Sequence, residues 1–178
     1  MNLLLLSGNS LRNKPWIYEV QTSLSDLFTD SFVHEYNHWI TGQEAINIDT
    51  ELSTVPTEAE NLKPYCIFAK SVGSVLTIKG MTANQLQPTA VLITGLPLRY
   101  IEKEMLPITD WLQTVDVPMI IAQHDKDPLG SYKEVHDLIM HLGNESISTI
   151  QLPGDTHDYK DLAKLKKLMS TLISKTTR

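Results

Sequence analysis

Short apolar runs recur along this chain, and longer segments of helical period separate them. The runs lie at residues 3–6, 65–69, 90–94, 118–122 and 147–152, each too short for a buried helix and of ordinary strand length. A strand that is apolar on both faces must be buried on both, which occurs where helices cover the two sides of a parallel sheet. A sixth run at residues 31–36 alternates polar and apolar side chains and suits a sheet edge. Helices fit residues 15–28, 57–62, 72–79, 108–115, 132–142 and 159–175. The first of these opens with Pro15 and sets Trp16, Val20, Leu24 and Leu27 on one stripe. Residues 38–54 show no period. With 178 residues, no internal repeat and no linker, the expectation is one α/β domain over 1–178, a three-layer doubly wound fold around a six-stranded, mostly parallel sheet.

Composition narrows the partners. Fifteen Lys and Arg against 21 Asp and Glu give a net charge of −6, which disfavours nucleic acid and anionic membrane. The one basic cluster, Lys164, Lys166 and Lys167, falls opposite Leu162, Leu165 and Leu168 and reads as the wet face of the closing helix. The single cysteine, Cys66, lies inside an apolar run as a packing residue, and a lone cysteine excludes an internal disulfide. His124, Asp125, Asp127, His136 and His141 show no metal-ligand spacing, so neither a metal nor a cofactor is expected. The opening leucines lack the basic flank, length and cleavage site of a secretory leader, and no apolar stretch approaches the roughly 20 residues of a membrane span. A cytoplasmic protein is the expectation.

In a doubly wound sheet the ligand site lies beyond the carboxyl ends of the strands. The segments directly after the strands hold a Ser, an Asp and a His in that chain order. Ala69-Lys70-Ser71-Val72-Gly73 departs from Gly-x-Ser-x-Gly only at Ala69 and sits at the strand-to-helix corner that motif requires. Ser71 there would be a nucleophile at a helix N-terminus, where free amides favour a developing oxyanion. A second amide would come from the turn after the first strand, at Asn9 or Ser10. Asp127 and Asp125 both follow the fifth strand; Asp127 is preferred because Pro128 braces it a few residues into the loop. His157 follows the sixth strand and would take the Ser71 proton, with the aspartate fixing its tautomer. His38 and Trp39, at the end of the second strand, are candidate pocket walls, as is Leu96 within the apolar segment 95–107. Lys70 admits two readings, contact with a substrate carboxylate or extension into solvent.

Taken together, Leu3-Leu4-Leu5-Leu6-Ser7-Gly8-Asn9-Ser10, the Ser71 corner, the stretch from Val117 to Pro128 and Pro153-Gly154-Asp155-Thr156-His157 resemble a small lidless α/β-hydrolase of the serine type, similar to dienelactone-hydrolase-like and YdeN-like proteins. The resemblance implies strand order 2-1-3-4-5-6, Ser71, Asp127 and His157 as a triad, and the backbone N–H groups of Val72 and Asn9 as an oxyanion hole. It implies hydrolysis of a small acyl substrate, an ester or else a thioester or amide, through an acyl-enzyme. Ala69, Ser7-Gly8 and Gln123-His124 depart from residues common in that family. Two other readings compete: a binding protein that keeps this fold without catalysis, and a flavodoxin-like nucleotide binder. The second is weakened because the Ser7–Ser10 turn lacks G-x-G-x-x-G and no Walker lysine is present.

Overall fold

The apolar runs pair into one sheet in the computed structural model, which describes residues 1–43 and 45–176. Its strands are β1 (Asn2–Leu6), β2 (Ser31–Val33), β3 (Tyr65–Lys70), β4 (Val91–Thr94), β5 (Met119–His124) and β6 (Ile147–Leu152). All pairings are parallel, in the order β2-β1-β3-β4-β5-β6. β3 and β4 are buried along their whole length, as their apolar runs require, with the polar ends Lys70 and Thr94 buried too.

The two-residue period of a strand divides the core in two. Leu3, Leu5, Cys66, Phe68, Leu92 and Ile120 face α1 (Asn13–Leu24) and α9 (Leu162–Thr176). Leu4, Leu6, Ile67, Ala69, Ile93 and Ile121 face the opposite layer. That layer is built from α4 (Val55–Asn61), α5 (Val72–Thr82), α6 (Leu98–Lys103), α7 (Ile108–Gln113) and α8 (Tyr132–Leu142). The thiol of Cys66 is buried among these side chains, and burial pushes its pKa up to about 11. No lid covers the sheet edge among the described residues; the β4–β5 connection is occupied by α6 and α7, packed on the core. None of the described helices is long and apolar enough to cross a membrane.

Three stretches differ from the sequence expectation. The second strand stops at Val33: the His34 N–H still donates to Leu5 O at 3.1 Å, and beyond it the chain leaves the ladder, with His34 and Tyr36 both buried. The stretch 38–54 contains α2 (Asn37–Thr41) and α3 (Ile48–Glu51), each too short to establish a period. α6 lies within a segment expected to wall a pocket, yet Leu96, Leu98 and Ile101 are buried in the core.

The turn into the interior at His34 carries a buried charge cluster. Its Nδ1 lies 2.7 Å from Glu58 Oε2 and its Nε2 2.9 Å from Glu51 Oε2. Glu51 Oε1 also accepts the Asn37 N–H at 3.0 Å, which ties the cluster to the start of α2. Burial alone would lower the pKa of His34, but Glu58 and Glu51 outweigh it and hold the imidazole above its usual value.

Candidate active site

β3 ends at Lys70 and α5 begins at Val72, so the chain must change from strand to helix within one residue. Ser71 does this at φ 54 and ψ −123, a left-handed conformation that costs a non-glycine residue on the order of 1–3 kcal/mol. Both sides hold it there. The Ser71 N–H donates to Thr94 O at 3.1 Å, extending the sheet ladder, while Ser71 O accepts the Ser74 N–H at 2.9 Å, opening the helix.

Gly73 is required by a close approach to the end of β1. Its N–H donates to Ser7 O at 3.1 Å, and a Cβ there would lie 2.5 Å from both Leu6 O and Ser7 O. The helix start is thereby pressed onto the end of β1. The same contact brings the following turn to Ser71: a Cβ on Gly8 would lie 3.4 Å from Ser71 Cβ.

Across the sheet, Asp127 follows β5 and His157 follows β6. His157 Nδ1 lies 2.9 Å from Asp127 Oδ1 and 2.8 Å from Oδ2. Asp127, whose side chain is fully buried, also accepts Tyr159 Oη–H at 2.7 Å and the Leu129 N–H at 2.9 Å. Asp125 engages Gln151 and meets no histidine. A carboxylate only accepts, so Nδ1 carries a proton, and in the neutral imidazole Nε2 presents a lone pair. That Nε2 is buried and has no hydrogen-bond partner among the described residues, Ser71 Oγ included.

Gly95 packs against His157. Gly95 follows Thr94, the residue that accepts the Ser71 N–H, and adopts φ +65. A Cβ there would lie 2.8 Å from His157 Cε1 and 2.7 Å from Tyr159 Cε2, so any side chain would drive the imidazole away. Tyr159, absent from the residues singled out by sequence, supports the acid and stacks on His124 at 4.1 Å between ring centroids. Burial and the Asp127 charge raise the pKa of its phenol, keeping it a hydrogen-bond donor. Its only sequence signal is its place two residues after His157.

The turn after β1 is fastened through Asn9. Asn9 O accepts both His38 Nε2–H at 2.7 Å and Trp39 Nε1–H at 2.9 Å, and Asn9 Oδ1 accepts the Ile46 N–H at 2.8 Å. The N–H groups of Asn9 and Val72 make no hydrogen bond among the described residues. His38 and Trp39 therefore direct their ring N–H groups at the backbone of this turn. Two cavities flank it. One, of about 320 Å³, is lined by Asn9, Ser10, His38 and Trp39; the other, of about 390 Å³, by Ser10, Lys70 and His157 among others. Leu96 lines neither; it is fully buried, and its N–H donates to Gln123 Oε1 at 2.8 Å.

Buried side-chain atoms without a partner among the described residues are Ser7 Oγ, His38 Nδ1, Thr94 Oγ1 and His157 Nε2. All four lie at the carboxyl ends of the strands or directly beyond them, where a ligand would find them.

Residues 41–178 match the family model of the alpha/beta hydrolase domain. No curated protein matches the sequence. Among solved structures, Est1E from Butyrivibrio proteoclasticus, with ferulic acid bound, is 11% identical, with 97% of this chain and 89% of that one covered at a TM-score of 0.76. A hydrolase of the alpha/beta superfamily from Xanthomonas campestris pv. campestris is 14% identical, with 98% and 97% covered at a TM-score of 0.73. A YdeN-like hydrolase from Pectobacterium atrosepticum is 13% identical, with 96% and 91% covered at a TM-score of 0.66. At these identities the likeness is one of fold.

Proposed function

The chain belongs to the alpha/beta hydrolase domain family, and we propose that it is a serine hydrolase cleaving small carboxylic esters, with thioesters or amides as related substrates, through an acyl-enzyme. The observation that carries this reading is His157 Nε2: a buried nitrogen left without a partner, on a ring whose other nitrogen is fixed by Asp127. Nothing structural is gained by leaving such an atom bare, whereas a general base needs it.

In this reading Ser71 Oγ attacks the substrate carbonyl and its proton passes to His157 Nε2. The tetrahedral oxyanion is held by the Val72 and Asn9 N–H groups. Collapse breaks the bond to the leaving group, to which His157 returns the proton. Water then repeats the sequence on the acyl-enzyme, releasing the acid and Ser71. Asp127 stays ionised throughout and steadies the imidazolium. Substrate binding brings Ser71 Oγ and Nε2 into hydrogen-bonding contact, as catalytic pairs commonly tighten only in the complex. The absence of a lid suits short acyl groups. A cytoplasmic setting belongs to the same reading, supported by the single cysteine.

One observation favours a second reading. The missing Ser71–His157 hydrogen bond is also what a binding protein that had lost catalysis would show. A fluorophosphonate probe separates the two. Covalent labelling that disappears in Ser71→Ala, with turnover of p-nitrophenyl acetate, supports the hydrolase; no adduct on Ser71 between pH 7 and 8 overturns it.

A further inference from the structure

Lys70, directly before Ser71, does not extend into solvent. It is 3% exposed, lying on the sheet face covered by α1, with Nζ 4.8 Å above the Trp16 ring. Of its three donor protons one goes to Asn13 Oδ1 at 2.7 Å, a neutral acceptor. The nearest carboxylate, on the exposed Asp158, is 3.9 Å away, beyond hydrogen-bonding distance. The one ion pair of Lys70 among the described residues is long and its partner exposed, so this buried ammonium is weakly compensated and costly to maintain. Burial lowers the Lys70 pKa, while the charges of Asp158 and Asp127 oppose that and favour the cation.

The surroundings add positive charge. Lys70 lines the 390 Å³ cavity together with Arg12 and Lys160, neither of which forms an ion pair among the described residues. Asp158 is the one carboxylate on that wall. On a chain of net charge −6, a hollow with three cations and one anion is a local reversal of sign. His157 forms part of the same wall. Because the catalytic histidine hands its proton to the leaving group, the cavity lies on the leaving-group side of the scissile bond.

We propose that this cavity binds a carboxylate carried by the leaving group of the substrate, with Lys70 as its buried anchor and Arg12 at its mouth. This rests on the serine-hydrolase reading and names the substrate class: small esters whose alcohol portion is a monoanion. A carboxylate fits better than a doubly charged phosphate, which Asp158 would repel. Trp16 supplies an apolar face for the part of the leaving group between the ester oxygen and the carboxylate.

Two isosteric esters test it, 4-acetoxybenzoate and the neutral 4-acetoxybenzamide. The wild type is expected to favour the anion by about ten- to a hundredfold in kcat/KM, the range of a charge-assisted hydrogen bond. Lys70→Met should bring that ratio to about one, and Arg12→Gln should lower it by about threefold. A wild-type ratio of one or below, or an unchanged ratio in Lys70→Met with both esters slowed equally, overturns the site. Should Lys70→Met not fold, Arg12→Gln decides together with salt: the ratio must fall as NaCl rises from 0.05 to 0.5 M. A binding measurement independent of turnover uses Ser71→Ala and Trp16 fluorescence. Benzoate should quench it saturably and benzamide should not, with the signal lost in the added Trp16→Phe variant. Benzoate binding in a wild type that labels with no fluorophosphonate would overturn the hydrolase reading and leave the anion site standing. Ester turnover without anion preference or benzoate binding would overturn the site alone.

Discussion

Two histidines are fixed by carboxylates beyond the carboxyl ends of this sheet, one at each edge. After β2, His34 has both ring nitrogens occupied, by Glu58 and by Glu51. After β6, His157 has Asp127 on Nδ1 and nothing on Nε2. The chemistry of the two pairs is alike, but their completeness is not. A satisfied pair spends its polarity on holding chain segments together, here the end of β2, α3 and α4. A half-satisfied pair keeps one nitrogen available for a proton, and the fold has to hold that nitrogen in place by other means. Gly95 and Tyr159 do so, the first by leaving room and the second by bracing the acid.

The contrast is open to attack from both ends, beginning with the largest effect. Ser71→Ala or His157→Ala should lower kcat for p-nitrophenyl acetate by about 10⁴- to 10⁶-fold, and the double variant little further, because the two act as a unit. Asp127→Asn should cost about 10³- to 10⁴-fold in kcat/KM through the wrong tautomer, while Asp125→Asn stays within about twofold in the same assay. Equal losses at the two aspartates would deny Asp127 its special role. His34→Ala should act on the other axis, lowering unfolding free energy by about 3–5 kcal/mol in urea titrations with a far smaller change in kcat/KM. If activity fell as steeply as stability, the two histidines would not differ in kind. Tyr159→Phe should reduce kcat by about tenfold, the cost of removing one hydrogen bond to a buried carboxylate. The smallest effect is in pH. The pKa of His34 is raised in the fold, so its stabilisation is complete below the unfolded value of about 6.5 and is lost as pH rises through the folded one. Urea midpoints measured upward from pH 6 should therefore fall more in the wild type than in His34→Gln.

Legibility in the sequence followed the same line. Strands and long helices were readable because burial on two faces, or on one stripe, leaves a period in the residues. The triad candidates stood out because sheet topology places post-strand segments together, and the Asp127–His157 contact joins two of them. What escaped was polarity turned inward. The second strand ends sooner than its alternation suggests, and an imidazole between a buried and a half-buried carboxylate looks in sequence like a surface residue. The helical period reaches back to Tyr159, whereas the helix begins at Leu162 and leaves Tyr159 in the preceding loop. His38 and Trp39 were placed on the site's side of the sheet, but their hydrogen bonds to Asn9 O depend on α2, which is too short to show a period. Lys70 was ambiguous because a strand end does not reveal whether α1 will cover it.

Ser10 lines both cavities, so the turn that carries Asn9 is a thin partition with a hollow on either side. Trp39 belongs to one hollow and Lys70 to the other, and among the described residues Ser10 alone lines both. Substitutions can therefore reshape one chamber while the opposite wall stays as it was. In this layout each hollow is shaped by its own residues, and the two are joined only by the turn at Ser10.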